Sequence, residues 1–483
     1  MKLVYRLLAV SLPLLAAGYA SQQPQKPAQA PYDLVITHAN VVDVETGRVL
    51  PDQTLGISGG LIQQLSKSTP APPAAKKTLD ARGKYLIPGL WDMHVHFRGG
   101  DSLITANRNL LPLYLAHGIT TVRDAGGDLT PAVFSWRQQI RAGQLPGPTI
   151  YTSGPKIDGP KAFWAGSLEV ETPAQIEKAL DSLQALKVDY VKLYESTISR
   201  DAFLNTISAA EKRGMTTTGH MPYTATLREA SERGLDASEH LYYVFKGCSA
   251  KEDSITKAVQ NSLSTPKPLG LFAVLPAIYR TYDPATATRL YRTLVTNKTA
   301  VVPTLYIQKL LAELPETDHS RDTLLAYIDP KIQATYARRL AGARAQSATT
   351  RAFNKQLGAK FTTLVPAMQK AGVTLLAGSD SGASNSYVYP GTSLLGELEL
   401  MVQAGLTPVQ ALQAATVNGA RFLKADKRSG TIQKGKDADL VLLDQNPLAN
   451  ITNLRKINAV ITHGKVYTAT DLRQMMQDVK HQP

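Results

Sequence analysis

Cys248 is the only cysteine in 483 residues, so a fold stapled by disulfides is excluded. Long apolar runs are missing beyond the first twenty residues, which removes any later bilayer span. No glycine-rich phosphate loop joins a strand to a helix, so an open doubly wound sheet has no motif to support it. A dense basic block with interleaved aromatics is also lacking. The net charge of +14 comes from Lys and Arg scattered through segments such as RDTLLAYIDPKIQATYARRLAGARAQ. These read as solvated helix faces, so nucleic acid is not an expected partner. A positive field still suits anionic small molecules.

What is present describes a globular chain, 43% apolar and 19% charged, long enough for one large barrel or two or three smaller domains. Its start, MKLVYRLLAVSLPLLAAGYA, has Lys2 and Arg6, an apolar run interrupted by Pro13, and small residues up to Ala20. Residues 1–20 are expected to be a cleaved secretory leader and 21–31, SQQPQKPAQAP, a flexible linker. The expectation is a periplasmic or secreted protein without stable membrane insertion.

Short strand-like runs with Gly turns fill residues 32–87 and return over 426–470, with 471–483 as a tail. The economical reading is one small β-sandwich domain built from both chain ends. Between them, over 88–425, eight candidate strands alternate with helix-like runs: LWDMHVHF, TTVRDA, TIYTSG, YVKLY, TTTGHM, ASEHLYY, AVVPTL and TLLAGSD. The fold class expected is α/β, a (β/α)8 TIM-like barrel. Thr172 and Pro173 open one helix as N-cap and first position, and Gly214 closes the next. Two connections, around 245–299 and 306–372, are long and largely helical. They would cap one mouth of the barrel or serve a homo-oligomer interface.

His94 and His96 stand two apart on the first strand, so both imidazoles face one way. Taken alone, the pair reads equally well as hydrogen-bonded core histidines or as ligands to a borderline divalent ion such as zinc. Position decides between them. Lys192 lies in the fourth strand, and His220, His240 and Asp380 end the fifth, sixth and eighth. Barrel enzymes gather their chemistry at that rim. Asp92 is expected on the strand's other face. Tyr223, Tyr242 and Arg123 sit at strand ends and are the candidate substrate contacts.

The set HVH, VKLY, GHMP, SEHL and GSD resembles the amidohydrolase superfamily, as do LIPGLWDMHVH and GTIQKGKDADLVLLD. The similarity is greatest to its imidazolonepropionase-like and Xaa-Pro dipeptidase-like branch. That resemblance implies two divalent ions, zinc among the candidates. His94, His96 and Asp380 would hold one, His220 and His240 the other. Lys192, carboxylated by carbon dioxide, would bridge them. It also implies hydrolysis of an amide-type C–N bond in a small-molecule substrate, with Asp380 moving the proton. An esterase, lactonase or phosphotriesterase on the same site, or an inactive periplasmic binding protein, are the competing readings. Two loops differ from the dipeptidase-like pattern: YEST after Lys192 lacks a Gly-rich turn, and GPKIDGPKAFWAG lacks a histidine and paired glycines.

Overall fold

The computed structural model describes Met1 and residues 32–480; the leader, the linker and the last three residues lie outside the described residues. Five strands come first: β1 (Tyr32–Asp43), β2 (Arg48–Ser58), β3 (Leu61–Lys67), β4 (Ala75–Asp80) and β5 (Tyr85–Pro88). The middle carries β6 (Leu90–His96), β7 (Ile119–Asp124), β8 (Thr149–Thr152), β9 (Ile157–Asp158), β10 (Leu168–Glu169), β11 (Val191–Leu193), β12 (Thr217–Gly219), β13 (Ala237–Glu239), β14 (Ala300–Val302) and β15 (Ser381–Gly382). β16 (Leu440–Leu443), β17 (Ile457–Thr462) and β18 (Lys465–Thr468) close the list.

Both chain ends share one mixed sheet, in the order β18-β17-β16-β5-β1-β2-β3, with β4 also on β1. The join is β5 antiparallel to β16, Leu86 opposite Leu442. Alternation explains why these strands are apolar without a break. Leu86, Leu440, Leu442 and Ile461 face a core inside this sheet. Their neighbours Ile87, Val441, Leu443 and Val460 face the main body. A strand buried on both faces reads as a continuous apolar run. β17 and β18 form a two-residue hairpin at His463 and Gly464, with φ of 48° and 73°. That is the positive-φ pair a tight hairpin turn needs.

The β domain expected from both chain ends is thus one mixed, hydrogen-bonded sheet. It curls until β3 meets the lead-in to β16, through Ile62 N to Lys436 O at 2.9 Å and Ala438 N to Gly60 O at 2.8 Å. The expected tail is ordered over its described part, where Ala469–Lys480 is a helix that buries Leu472 and Val479.

The middle segment contains two parallel sheets, β15-β6-β7-β8 and β10-β9-β11-β12-β13-β14. Backbone bonds connect them on both sides. Asp189 N donates to Thr152 O at 3.0 Å on one side; Val301 N to Thr374 O and Met93 N to Ala377 O do so on the other, at 2.9 and 2.8 Å. The segment TLLAGSD, expected as the eighth strand, is extended but pairs mainly through such single bonds. Regular pairing begins only at β15, because Asp380 turns to φ 59°. The helix Pro173–Leu186 opens with a Thr172–Gln175 capping box, and Arg200–Lys212 follows a Ser199 cap. Both long connections are largely helical. Leu314, Ile328, Ile332 and Tyr336 from the second pack on Ala383, Tyr387 and Tyr389, just after Asp380. Among the described residues, no helix is long and apolar enough to cross a membrane.

Candidate metal centre

β6 delivers two buried histidines because its pairing slips. Trp91 and Met93 face one cluster, Leu90 and Val95 another. The register with β7 shifts between Asp92 and Val95. A strict two-residue period would place Asp92 beside His94. Across the shift, Asp92 instead accepts from Ser379 N at 2.9 Å and Ser379 Oγ at 2.6 Å. Burial pushes its carboxyl up to about 7.

The ring nitrogens then converge. His94 Nε2 lies 3.2 Å from His96 Nε2, and His240 Nε2 lies 3.1 Å from His220 Nε2. Asp380 Oδ1 is 2.7 Å from His96 Nε2 and 3.5 Å from His94 Nε2, and its Oδ2 is 4.0 Å from His240 Nε2. Two sets, His94–His96–Asp380 and His94–His220–His240, each fit within 4.8 Å. His94 belongs to both, so the five residues form one centre rather than two separate ones. His240 and Asp380 both have φ of 59°, a left-handed conformation that is uncommon outside glycine. Strained backbone of this sort concentrates at functional sites. Gly219 leaves no choice: a Cβ there would meet Leu193 O at 2.1 Å, so the chain reaches His220 only through glycine.

Three of the opposite ring nitrogens have polar neighbours, whereas the buried His96 Nδ1 has no hydrogen-bond partner among the described residues. His94 Nδ1 bonds Glu239 Oε2 at 2.6 Å, His240 Nδ1 bonds Thr304 Oγ1 at 2.7 Å, and His220 Nδ1 lies 2.8 Å from Glu195 Oε2. The Glu239 carboxylate accepting from His94 Nδ1 keeps that ring's lone pair on Nε2, where a metal would take it. Burial holds His96 and His220 well below the usual imidazole range and His240 down to about 3, so these rings are neutral. Asp380 is held well below the usual carboxylate range: burial would raise it, but the hydrogen bond from His96 works the other way. Neutral imidazoles and an ionised carboxylate are the protonation states that divalent ions need, so this donor set fits the metals implied above.

Residues 85–467 match the amidohydrolase family profile. The chain belongs to the amidohydrolase family. The adenine deaminase of Deinococcus radiodurans is 32% identical over 152 residues, 31% of this chain. The match spans 27% of that relative's length. The solved bottromycin amidohydrolase superposes with a TM-score of 0.70 at 22% identity, over 92% of this chain and 90% of that one. A Xaa-Pro dipeptidase with methionine in its active site gives 0.66 at 21%, over 90% and 99%. At such identities the likeness establishes a shared fold.

In this amidohydrolase Lys192 is fully buried, and its Nζ has no hydrogen-bond partner among the described residues. Glu239 Oε1 is nearest, at 3.8 Å. Burial lowers the ammonium to about 8, against the pull of Glu239. Arg123 does not reach the open side. Its guanidinium is fully buried, donating to Met93 O at 2.6 Å and Glu239 Oε1 at 2.7 Å. Tyr242 donates to Gln308 at 2.6 Å, whereas the buried Tyr223 hydroxyl has no partner among the described residues. Among the three candidate substrate contacts, the Tyr223 hydroxyl and the buried Arg123 Nη1 have no hydrogen-bond partner among the described residues.

Sequence reasoning missed Glu239, the hub beneath the centre. It accepts from His94, Arg123 and Thr218 Oγ1 with no exposure. Burial would raise its carboxyl; Arg123, Lys192 and His94 hold it well below the usual range. The signal was an acid inside the short buried strand ASE, where a charge has to be paired. Asn385 was missed too; it donates to Asp380 Oδ1 at 2.8 Å and fixes that carboxylate.

Proposed function

We propose that this chain is an exported, binuclear metal-dependent amidohydrolase cleaving an amide-type C–N bond in a dipeptide, N-acyl amino acid or cyclic amide. The observation that carries the proposal is the convergence of four imidazole Nε2 atoms and Asp380, with His94 and His240 hydrogen-bonded from behind and His220 Nδ1 2.8 Å from Glu195. His94, His96 and Asp380 would hold one ion and His220 and His240 the other. Lys192 would be shared as a carbamate. Its neutral amine attacks carbon dioxide, an N–C bond forms, a proton leaves, and an anion replaces a buried cation. Bound there, divalent ions, zinc among them, would bring water toward neutral-pH ionisation and polarise the scissile carbonyl.

The chain's own residues supply the rest. Asp380, ionised and oriented by Asn385, takes the proton of the attacking water and hands it to the departing nitrogen. Glu239 keeps the His94 imidazole in the ligating tautomer, and Glu195 and Thr304 lie against Nδ1 of His220 and His240. Tyr223 offers a hydroxyl for the carbonyl oxygen or another substrate acceptor. The scaffold in this reading is a closed (β/α)8 barrel, supported by the backbone bonds that link the two parallel sheets on both sides.

Matched amide, ester, lactone and phosphotriester panels test it, run on purified protein before chelation, after it, and after reloading with metal. Amide turnover that disappears on chelation and returns with zinc supports the proposal. Turnover confined to esters, lactones or phosphotriesters, or indifferent to chelation, refutes it. Export is tested separately: recovered protein beginning at Ser21 supports it, and retention of Met1 refutes it.

A further inference from the structure

The loop GPKIDGPKAFWAG, which departs from the dipeptidase-like pattern, places a second charged cluster beside the centre. Lys156 and Arg98 are 3% and 4% exposed. Lys156 Nζ donates to Gly126 O at 2.5 Å. Arg98 donates through Nε to Ala383 O at 2.7 Å and through Nη2 to Asn385 Oδ1 at 2.9 Å. Both cations lie against one ring: the Arg98 guanidinium carbon is 4.5 Å and Lys156 Nζ 4.9 Å from the Trp164 centroid. Asp128 is the nearby acid acting on both, and its Oδ2 is already shared with Gly99 N at 2.6 Å and Gly100 N at 3.2 Å. Asp380 also pulls on Arg98 and Asp124 on Lys156, while Arg339 repels the first and Lys192 the second, so four cations stand against three carboxylates here. Buried charge without a matching counter-charge is costly, and a ligand's anion would complete the set.

Two contact paths lead from this cluster to the reacting groups. Arg98 reaches Asp380 through Asn385, by bonds of 2.9 and 2.8 Å. Trp164 reaches His220 through Tyr194, with centroid separations of 6.3 and 4.6 Å. Phe163, 60% exposed, continues the aromatic row outward. The chain's excess of positive charge would draw the same kind of ligand.

We propose that Arg98 and Lys156 form an anion subsite walled by Trp164, selecting substrates that carry a carboxylate beside the scissile amide. This rests on the hydrolase reading above and narrows it: N-acyl amino acids and dipeptides with a free C-terminus are substrates, neutral amides poor ones. Lys156 and Arg98 are binding residues here; Asp380 keeps the chemistry.

The test uses metal-loaded full-length protein and paired probes. N-acetyl-L-phenylalanine and N-acetyl-L-phenylalaninamide are compared for binding by calorimetry, and N-acyl amino acids and dipeptides for turnover, each as free acid and as carboxamide. The free acids should be preferred by roughly 10- to 100-fold, the range expected for charge-assisted hydrogen bonds. K156M should shrink that ratio by at least about tenfold through KM, and K156R should restore most of it. No preference in the parent, or an equal ratio in K156M, overturns the subsite. Lys156-dependent binding of the free acid with no turnover anywhere would leave the subsite standing and refute the hydrolase reading.

Discussion

Removing the charge of Glu239 should unbalance the whole underside of the centre. The carboxylate holds His94 Nδ1 at 2.6 Å and Arg123 Nη2 at 2.7 Å, and lies 3.8 Å from Lys192 Nζ. E239Q keeps the shape and leaves the buried Arg123 guanidinium with neutral acceptors only, Met93 O and the new amide oxygen, in place of the Glu239 charge. Breaking one side of a buried ion pair costs about 3–5 kcal/mol. R123M leaves the carboxylate with His94, Thr218 and Lys192 for company and should cost a similar amount. In E239Q/R123M both charges are gone. Its loss should fall short of the summed single losses by at least about 1 kcal/mol, the signature of coupled residues. Urea midpoints of the chelated proteins measure this. A metal titration adds a second readout: E239Q should weaken zinc binding by roughly 10- to 100-fold, because His94 loses the group that orients it. Additive stability losses together with unchanged zinc affinity would refute the reasoning.

D380N should lower turnover roughly 10²- to 10⁴-fold, the range for a proton-transfer group, while most of the metal stays bound; near-parental turnover would remove Asp380 from the chemistry. Asp124, fully buried, is pushed by desolvation from 3.8 up to about 6. An acid raised in the folded state binds its proton there first, so parent stability relative to D124N should fall by about 3 kcal/mol between pH 4 and 6 and stay level above. Denaturation midpoints of both proteins across that range decide it; a difference that rises or stays flat contradicts the assignment. Cys248 is fully buried, with its thiol pushed up to about 12 by burial. A thiol reagent should therefore label it only as fast as the protein unfolds, and rapid labelling of native protein would show the packing to be wrong.

Much of the site was legible because two periods and one rule suffice. Period two aligned His94 with His96, and the strand–helix alternation put Lys192, His220, His240 and Asp380 at strand ends. Register was not legible. The slip between Asp92 and Val95, and the turn at Asp380 that delays β15, come from how neighbouring strands pair, which a single sequence does not display. Nor was partner choice. Glu239, Thr218, Arg123 and Lys192 meet across four different strands, and nothing local in ASE or TTVRDA selects one neighbour over another. The same holds for the end domain: the strand-like runs at both chain ends were visible, whereas the curl that makes one sheet from eight strands depends on contacts between Ile62 and Lys436, hundreds of residues apart.

The central claim is that these imidazoles exist to hold ions. Anomalous diffraction from crystals of the zinc-loaded protein, recorded above and below the zinc edge, tests it most directly. The account predicts two peaks, one among His94, His96 and Asp380 and one at His220 and His240, with extra density extending from Lys192 Nζ between them. A fully active enzyme with no anomalous peak at these residues would contradict it.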